Sequence, residues 1–165
     1  MDLNLIADKI MKKSELKELI REVLTEIKFD KSENINSTQQ KIQQYIKNGS
    51  KGDLNLRNTS ITSLPDNLKQ VNGSLDLSST KITSLPDNLT IGGYLDLHNT
   101  PITTLSDNLT VGKNLNLSNT SITFLPDNLT VYGDLWFDDT KITKIPKSAK
   151  IKGEIIGLDQ KHYKN

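Results

Sequence analysis

A short sequence that alternates polar and apolar residues recurs at a nearly fixed interval along this chain. The copy Gly52-Asp53-Leu54-Asn55-Leu56 is followed by near-copies that begin at residues 73, 93, 113 and 133, so the intervals are 21, 20, 20 and 20 residues. A fixed period of this size predicts a solenoid, in which each copy buries its apolar side chains only against its neighbours. Solenoids usually bind through one long shared surface, so the period favours an interaction module over an enzyme.

Each copy predicts one strand, a turn and a return segment. In the copy over residues 73–92, Ser74 to Ser78 alternates polar and apolar residues, as in a strand with one buried face. The following threonine is expected to bond turn backbone, and the proline of Leu-Pro-Asp-Asn-Leu, replaced by Ser106 in one copy, ends the sheet. A glycine is expected to allow the sharp return to the next strand. The predicted inward side chains of this copy are Leu75, Leu77, Ile82, Leu85, Leu89 and Ile91.

The ends of the repeat array are expected to be covered, because terminal coils would expose the core. The segment Ser37-Thr38-Gln39-Gln40 has the form of a helix capping box, and Ile42, Tyr45 and Ile46 follow on one helical face. These features predict an N-terminal cap helix. The predicted domains are a docking segment and linker over 1–34 and a solenoid over 35–165, which comprises the cap helix 37–47, repeats from about 52 to 158 and a tail over 159–165.

The repeat pattern Leu-x-Leu-x-x-Thr-x-Ile-x-x-Leu-Pro-x-x-Leu resembles the short-period leucine-rich repeats of bacteria. It is similar to the repeats of bacterial secreted leucine-rich-repeat effectors and to repeats in bacterial and phage proteins. The resemblance implies an α/β-type solenoid, a leucine-rich repeat with parallel strands on the concave face. Threonine stands here where the family has asparagine after the strand, so a threonine ladder is expected in place of an asparagine ladder.

Residues 1–34 lie outside the repeat and contain a separate amphipathic helix with an apolar stripe at helical spacing. The stripe must be buried somewhere, either against the solenoid or against a partner or second copy, and we favour docking on another chain. The segment from Lys12 to Leu24 also resembles a short helix near the start of many large tailed-phage proteins, which favours a phage protein. The predicted docking residues are Leu16, Leu19, Ile20, Val23, Leu24 and Ile27.

The outward side chains of the predicted strands form the candidate binding face. Neighbouring strands lie about 4.8 Å apart, so five strands make a face roughly 24 Å wide. Trp136, the only tryptophan, interrupts a column of Asn and Asp, and it is a candidate contact or a cover for the C-terminal end of the core. The candidate binding residues are Asn55, Arg57, Asp76, Tyr94, Asp96, His98, Asn116, Trp136 and Asp138.

The residues needed for catalysis or metal binding are sparse, with two histidines and no cysteine. Asp76 and Asp96 lie on neighbouring predicted strands, where they could share Ca²⁺ with Asn116 or act as an acid–base pair. Solvated polar columns are nevertheless the ordinary state of such a face. The sequence contains no phosphate loop, zinc spacing or dinucleotide fingerprint. We therefore predict no catalytic residue, no metal site, no cofactor and no enzymatic activity.

Composition limits the partners and the location that we expect. Lys and Arg total 21 and Asp and Glu total 20, so the net charge of +1 gives no strong field towards nucleic acid or an anionic membrane. No apolar run is long enough to span a bilayer, and the first residues lack the features of a signal peptide. We expect a protein of a virion or of the bacterial cytoplasm, with neither a nucleic-acid nor a membrane partner.

The function predicted from these features is protein binding or structural support. We expect a phage virion-associated protein that is anchored through its N-terminal helix, displays the solenoid for protein contact and is able to oligomerise within a larger assembly. One alternative is a bacterial effector-like or adaptor leucine-rich-repeat protein that binds a host protein. Another is a carbohydrate-binding surface built on Trp136, Tyr94 and the amide-rich strands.

Overall fold

The computed structural model describes residues 17–18, 20–22 and 37–157. The chain divides into two units, Met1–Ser37 and Thr38–Asn165. In the first unit, residues 17–18 and 20–22 are helical, and Ile20 is 50% exposed. No helix within these described segments is both long and apolar enough to cross a bilayer. The predicted docking residues that lie outside the described residues are Leu16, Leu19, Val23, Leu24 and Ile27.

The second unit is a β-solenoid of about five turns with a period of about 20 residues, and its short strands form two parallel sheets. The six-stranded sheet contains, in spatial order, β1 (Leu54–Asn55), β3 (Leu75–Asp76), β5 (Leu95–Asp96), β7 (Leu115–Asn116), β9 (Leu135–Trp136) and β11 (Ile155–Ile156). The five-stranded sheet contains β2 (Gln70–Val71), β4 (Thr90–Ile91), β6 (Thr110–Val111), β8 (Thr130–Val131) and β10 (Lys150–Ile151).

The six-stranded sheet confirms the predicted repeat strands and their parallel arrangement. Leu54 pairs with Leu75, and each later strand pairs at the equivalent position one period on. The five-stranded sheet was not predicted, since the alternation around its strands spans only three residues, as in Leu89 to Ile91, against five from Ser74 to Ser78. Between residues 48 and 157 the structure has no helix, so the far side of each turn is a second sheet.

Backbone hydrogen bonds between neighbouring turns hold both sheets together. In the six-stranded sheet, the amide of Leu75 donates to the carbonyl oxygen of Tyr94 at 2.8 Å, one turn further along the chain. In the five-stranded sheet the direction reverses, because the amide of Gly92 donates to the carbonyl oxygen of Val71 at 2.8 Å, one turn earlier. Each turn therefore depends on both of its neighbours for backbone pairing.

The core is a continuous column of aliphatic side chains between the two sheets. The six residues predicted to point inward from the copy over residues 73–92 are all buried, and only Leu85, at 7%, retains measurable exposure. Their equivalents in the neighbouring turns belong to the same cluster. Burial of this kind stabilises by about 1.5–3 kcal/mol per aliphatic side chain before chain entropy is subtracted, so one turn alone is too small to be stable.

The repeated threonine bonds the turn backbone, as predicted. The hydroxyl groups of Thr80, Thr100 and Thr120 each donate to the carbonyl oxygen three residues earlier, all at 2.7 Å. Thr59 and Thr140 do the same at 2.6 and 2.8 Å. These bonds stay within one turn, so the threonines form a stack of local turn bonds and the expected threonine ladder is wrong.

Asparagine side chains form two hydrogen-bonded ladders that run from turn to turn. The amide nitrogen of the Asn119 side chain donates to the Asn99 side-chain oxygen at 3.2 Å. A second ladder links Asn128 to Asn108 at 2.7 Å and Asn108 to Asn88 at 2.9 Å. Asn88, Asn99, Asn108 and Asn119 have φ between 55° and 59°, a left-handed backbone that asparagine tolerates better than most residues. Their conformation and their ladders therefore explain the repeated asparagines.

A helix over residues 37–47 precedes the first strand. Within it Ile42 is 2% exposed and belongs to the core cluster, against which Tyr45 and Ile46 also pack. The hydroxyl group of Tyr45 lies 2.7 Å from the carbonyl oxygen of Ser50 and 2.8 Å from that of Gly52. This phenol ties the end of the helix to the segment that enters the solenoid.

Replacing Ser106 by proline is expected to stabilise the protein. Ser106 Oγ is the one buried side-chain oxygen or nitrogen without a hydrogen-bond partner among the described residues, and the four equivalent positions hold Pro65, Pro86, Pro126 and Pro146. Ser106→Pro removes the unpaired hydroxyl and restricts the unfolded chain, which should raise the free energy of unfolding by about 0.4–1 kcal/mol in urea titration. Ser106→Ala isolates the hydroxyl contribution, and a loss of stability in Ser106→Pro would contradict the expectation.

The stability of the protein is expected to fall in alkali partly through Tyr45. Burial raises the pKa of the Tyr45 hydroxyl above its ordinary value of 10.0, the amide of Asn72 opposes this rise, and the charge of Asp53 adds to it. The folded state therefore holds the proton more tightly, and this contribution is fully present below pH 10.0 and lost as the pH rises through the raised pKa.

Substitution of Tyr45 tests this contribution. Tyr45→Phe should lower the free energy of unfolding at neutral pH by about 1 kcal/mol, because a hydrogen-bond donor is lost, and it should flatten the alkaline decline. The measurement is urea unfolding from about pH 8 to about pH 11. Tyr132→Phe, at an exposed tyrosine, should keep the decline. Equal declines in wild type and Tyr45→Phe would show that other groups cause it.

Candidate functional site

The outward face of the six-stranded sheet consists of three columns of side chains, because equivalent residues of successive turns lie side by side. The first column comprises Asp53, Ser74, Tyr94, Asn114, Asp134 and Glu154. The second comprises Asn55, Asp76, Asp96, Asn116, Trp136 and Ile156. The third comprises Arg57, Ser78, His98, Ser118 and Asp138. All nine candidate binding residues therefore fall on this one face.

Most of the second column terminates the strands. The Oδ1 atom of Asp76 accepts from the Ser78 amide at 2.9 Å and from its hydroxyl at 2.6 Å. The side-chain oxygens of Asn55, Asp96 and Asn116 accept from the amide two residues on, at 3.0, 2.9 and 3.0 Å. A short side chain with an oxygen acceptor is what this turn needs. The repeated Asn and Asp thus have a structural explanation.

Most of the first column links each turn to the next. The Oδ1 atom of Asp53 accepts from the Ser74 amide at 2.6 Å, and the hydroxyl oxygen of Ser74 accepts from the Tyr94 amide at 3.2 Å. Further along, Asn114 accepts from the Asp134 amide at 3.0 Å and Asp134 accepts from the Glu154 amide at 2.9 Å. Tyr94 carries no such acceptor near its backbone and breaks this series.

The glycines beside the first column are explained by these acceptors together with the backbone of the preceding turn. A Cβ atom added at Gly93 would overlap the Oγ atom of Ser74, and one added at Gly133 would overlap the Oδ1 atom of Asn114. Neither glycine is among those with positive φ, so the expectation that glycine serves a sharp return is wrong at these positions. Close approach of the preceding turn is the reason for glycine here.

Lys113 occupies the position that is glycine in the other turns, and it directly follows the turn that carries Tyr94. Tyr94 places no acceptor over this position, which removes one of the overlaps that a Cβ atom would meet at Gly93 and Gly133. The Nζ atom of Lys113 lies 5.0 Å from the centre of the Tyr94 ring, within the range of a cation–π contact. Tyr94 is 47% exposed, so the pair presents an aromatic ring and a charge on the outward face.

Trp136 breaks the second column in the same manner. It lies in register between Asn116 and Ile156 and has no oxygen to accept from the amide of Asp138. Its side chain is half-buried and Ile156 is also half-buried, so the two form an apolar patch at this end of the face. Trp136 therefore contacts a neighbouring strand and still presents part of its ring.

The third column is mixed in exposure. Arg57 and His98 are exposed, Asp138 is half-buried and Ser78 is buried. Asp76 and Asp96 lie on adjacent strands, and each uses one carboxylate oxygen in its own turn. Among the residues that the structure describes, no group of three or more His, Cys, Asp or Glu side chains is placed to hold a metal ion.

Lys113 was missed by sequence reasoning, although its signal is visible in the repeat. It is a lysine in a column otherwise filled by Gly52, Gly73, Gly93, Gly133 and Gly153. Its meaning depends on whether the preceding turn places an acceptor beside this position, which only the structure shows. No family model, curated protein or solved structure matches this chain, so the site is defined by its geometry alone.

Coupling between Tyr94 and Lys113 is testable by a double-mutant cycle. Tyr94→Asn alone should destabilise the protein, because the new side-chain oxygen needs the space that Lys113 occupies. Tyr94→Asn combined with Lys113→Gly recreates the arrangement of the other turns and should recover the loss. We expect a coupling free energy of about 1–2 kcal/mol in urea unfolding. Additive effects would mean that the two departures from the repeat are independent.

Proposed function

We propose that this protein is a non-enzymatic binding module that recognises a protein partner through the outward face of its six-stranded sheet, centred on Tyr94 and Trp136. The observation that carries the proposal is the contrast within the columns. Asn, Asp and Ser at the repeated positions bond to the backbone and stabilise the fold. Tyr94 and Trp136 replace such residues and give up those bonds, so the needs of the fold do not explain them.

The geometry of the face suits protein recognition. Tyrosine and tryptophan contribute a large contact area with little loss of side-chain entropy, and both are frequent in binding hot spots. The polar columns around them are already bonded to the backbone, so they form a rigid surround that loses little freedom on binding.

We further propose that the solenoid belongs to the leucine-rich-repeat class and that helix 37–47 is its N-terminal cap. The support is the inward Leu and Ile pattern and the position of Ile42, which is 2% exposed within the core cluster. The Nζ atom of Lys41 donates to the carbonyl oxygen of Asn55 at 2.7 Å, which connects the helix to the first strand. A helix at this position would satisfy the need to cover the first turn.

Anchoring through the N-terminal segment is the second element of the proposal. Ile20 is 50% exposed on helical residues, and an exposed isoleucine within a stripe favours burial against another chain. The sequence resemblance of this segment supports a place in a phage virion, with the solenoid displayed for contact. The effector-like or adaptor role remains the alternative, and both roles require the same binding face.

The partner should depend on the two aromatic residues of the face. Wild-type full-length protein, Tyr94→Ala and Trp136→Asn are used as baits in a lysate of the source, and bound proteins are identified by mass spectrometry. Either substitution should weaken binding of the captured partner by about 2 kcal/mol, roughly 30-fold in Kd, when the purified proteins are titrated. Trp136→Asn introduces the residue found at Asn116, so the strand should stay intact.

Controls separate the face from other surfaces. Tyr132→Ala removes an aromatic residue that is 51% exposed but lies outside the three columns, and it should leave binding unchanged. A partner that is lost in Ile20→Asp but kept in both face variants would show that the N-terminal segment alone recognises it. Quenching of Trp136 fluorescence by glycans, without a captured protein, would favour the carbohydrate-binding alternative.

A further inference from the structure

A second departure from the repeat lies on the loops that lead from the six-stranded to the five-stranded sheet, away from the outward face. Three substitutions converge there. Phe124 stands where three earlier turns have Ser63, Ser84 and Thr104, and Lys144 follows it in the next turn. Lys147 stands where the four preceding turns have Asp66, Asp87, Asp107 and Asp127.

These residues line an open groove of about 450 Å³, the Phe124 groove, together with Leu125, Asp127, Pro146 and Ser148. Phe124 is 56% exposed, the highest value among the large apolar residues that are exposed in the described segments. Lys144 and Lys147 are also exposed. The groove therefore combines an apolar surface with two cationic groups beside it.

Charge separates the last described turn from the rest of the solenoid. Residues 141–157 contain five lysines and one glutamate, a net charge of +4. Residues 53–140 contain ten aspartates against three lysines and one arginine, a net charge of −6. An anionic partner is therefore attracted to residues 141–157, beside the groove, and repelled by the negatively charged turns over residues 53–140.

We propose that the Phe124 groove binds a short acidic segment of a partner protein, with an aromatic or aliphatic side chain of that segment against Phe124 and carboxylates on both sides near Lys144 and Lys147. A short acidic segment suits the charge pattern better than a long polyanion. A nucleic acid would extend over residues 53–140, whose net charge of −6 would repel it. One carboxylate in the groove, that of Asp127, is already bonded to the hydroxyl of Ser148 at 3.0 Å. This site is separate from the outward face and goes beyond the function proposed above.

A defined probe tests the proposal with the full-length protein. The probe is a fluorescein-labelled peptide, Gly-Asp-Glu-Phe-Glu-Asp-Gly, titrated by fluorescence anisotropy at low and high salt. We expect saturable binding that weakens with salt, because the lysines are exposed. A peptide of the same charge with serine in place of phenylalanine should bind about tenfold more weakly, which corresponds to loss of the apolar anchor.

Substitutions that restore the residues of the other turns should abolish the site without disturbing the fold. Phe124→Ser and Lys147→Asp should each weaken binding of the phenylalanine peptide about tenfold or more. Lys81→Asp is the charge-matched control, since it also replaces an exposed lysine by aspartate but lies two turns before the turn of Phe124, and it should bind like wild type. Tyr94→Ala should also bind like wild type, which separates this site from the outward face.

Three outcomes would overturn the proposal. The first is the absence of saturable binding, or equal binding of the serine peptide. The second is tighter binding of an oligothymidine strand that is lost in the same variants, which would make the groove a nucleic-acid site. The third is concentration-dependent self-association of wild type that disappears in Lys147→Asp in sedimentation, which would show that a second copy of this chain occupies the groove.

Discussion

Backbone hydrogen bonding between turns is the constraint on which the rest of this structure depends. The two sheets bond in opposite directions along the chain, so each turn is fixed to both neighbours at the same register. Every side chain then lies next to its equivalent one period away, roughly 4.8 Å distant. A residue is acceptable at a position only if it is compatible with the same position in the adjacent turn. The aliphatic core, the threonine turn bonds and the asparagine ladders all satisfy this condition.

The condition also explains how departures from the repeat are accommodated. A bulky or charged residue in one turn requires a change in its neighbour, and Tyr94 with Lys113 shows such a pair on the outward face. Phe137 shows another in the core, where it replaces the usual leucine. A Cβ atom added at Gly157 in the next turn would overlap its ring. Paired departures of this kind show where the chain differs from a uniform stack.

Sequence reasoning predicted what recurs and missed what depends on the neighbouring turn. The strands of the six-stranded sheet, the inward residues and the threonine bonds follow from the alternation within one copy and from its recurrence in the next. The five-stranded sheet was not predicted, because the alternation around strands such as Thr90–Ile91 covers only three residues. The candidate columns could be listed from the sequence. Their division into backbone acceptors and free aromatic residues could not, since an acceptor in Asp53 finds its donor 21 residues away.

The pairing of Tyr94 with Lys113 has a consequence for how such a chain can lengthen during evolution. Duplication of a whole 20-residue unit preserves the alignment of every column, so insertion at most boundaries should be tolerated. A unit inserted between these two residues would separate them and set Lys113 beside a turn with an acceptor, where its Cβ atom would clash. Insertion of repeat units is thus tolerated before Tyr94 or after Lys113 and opposed between them, so these two residues should stay one period apart as the array lengthens.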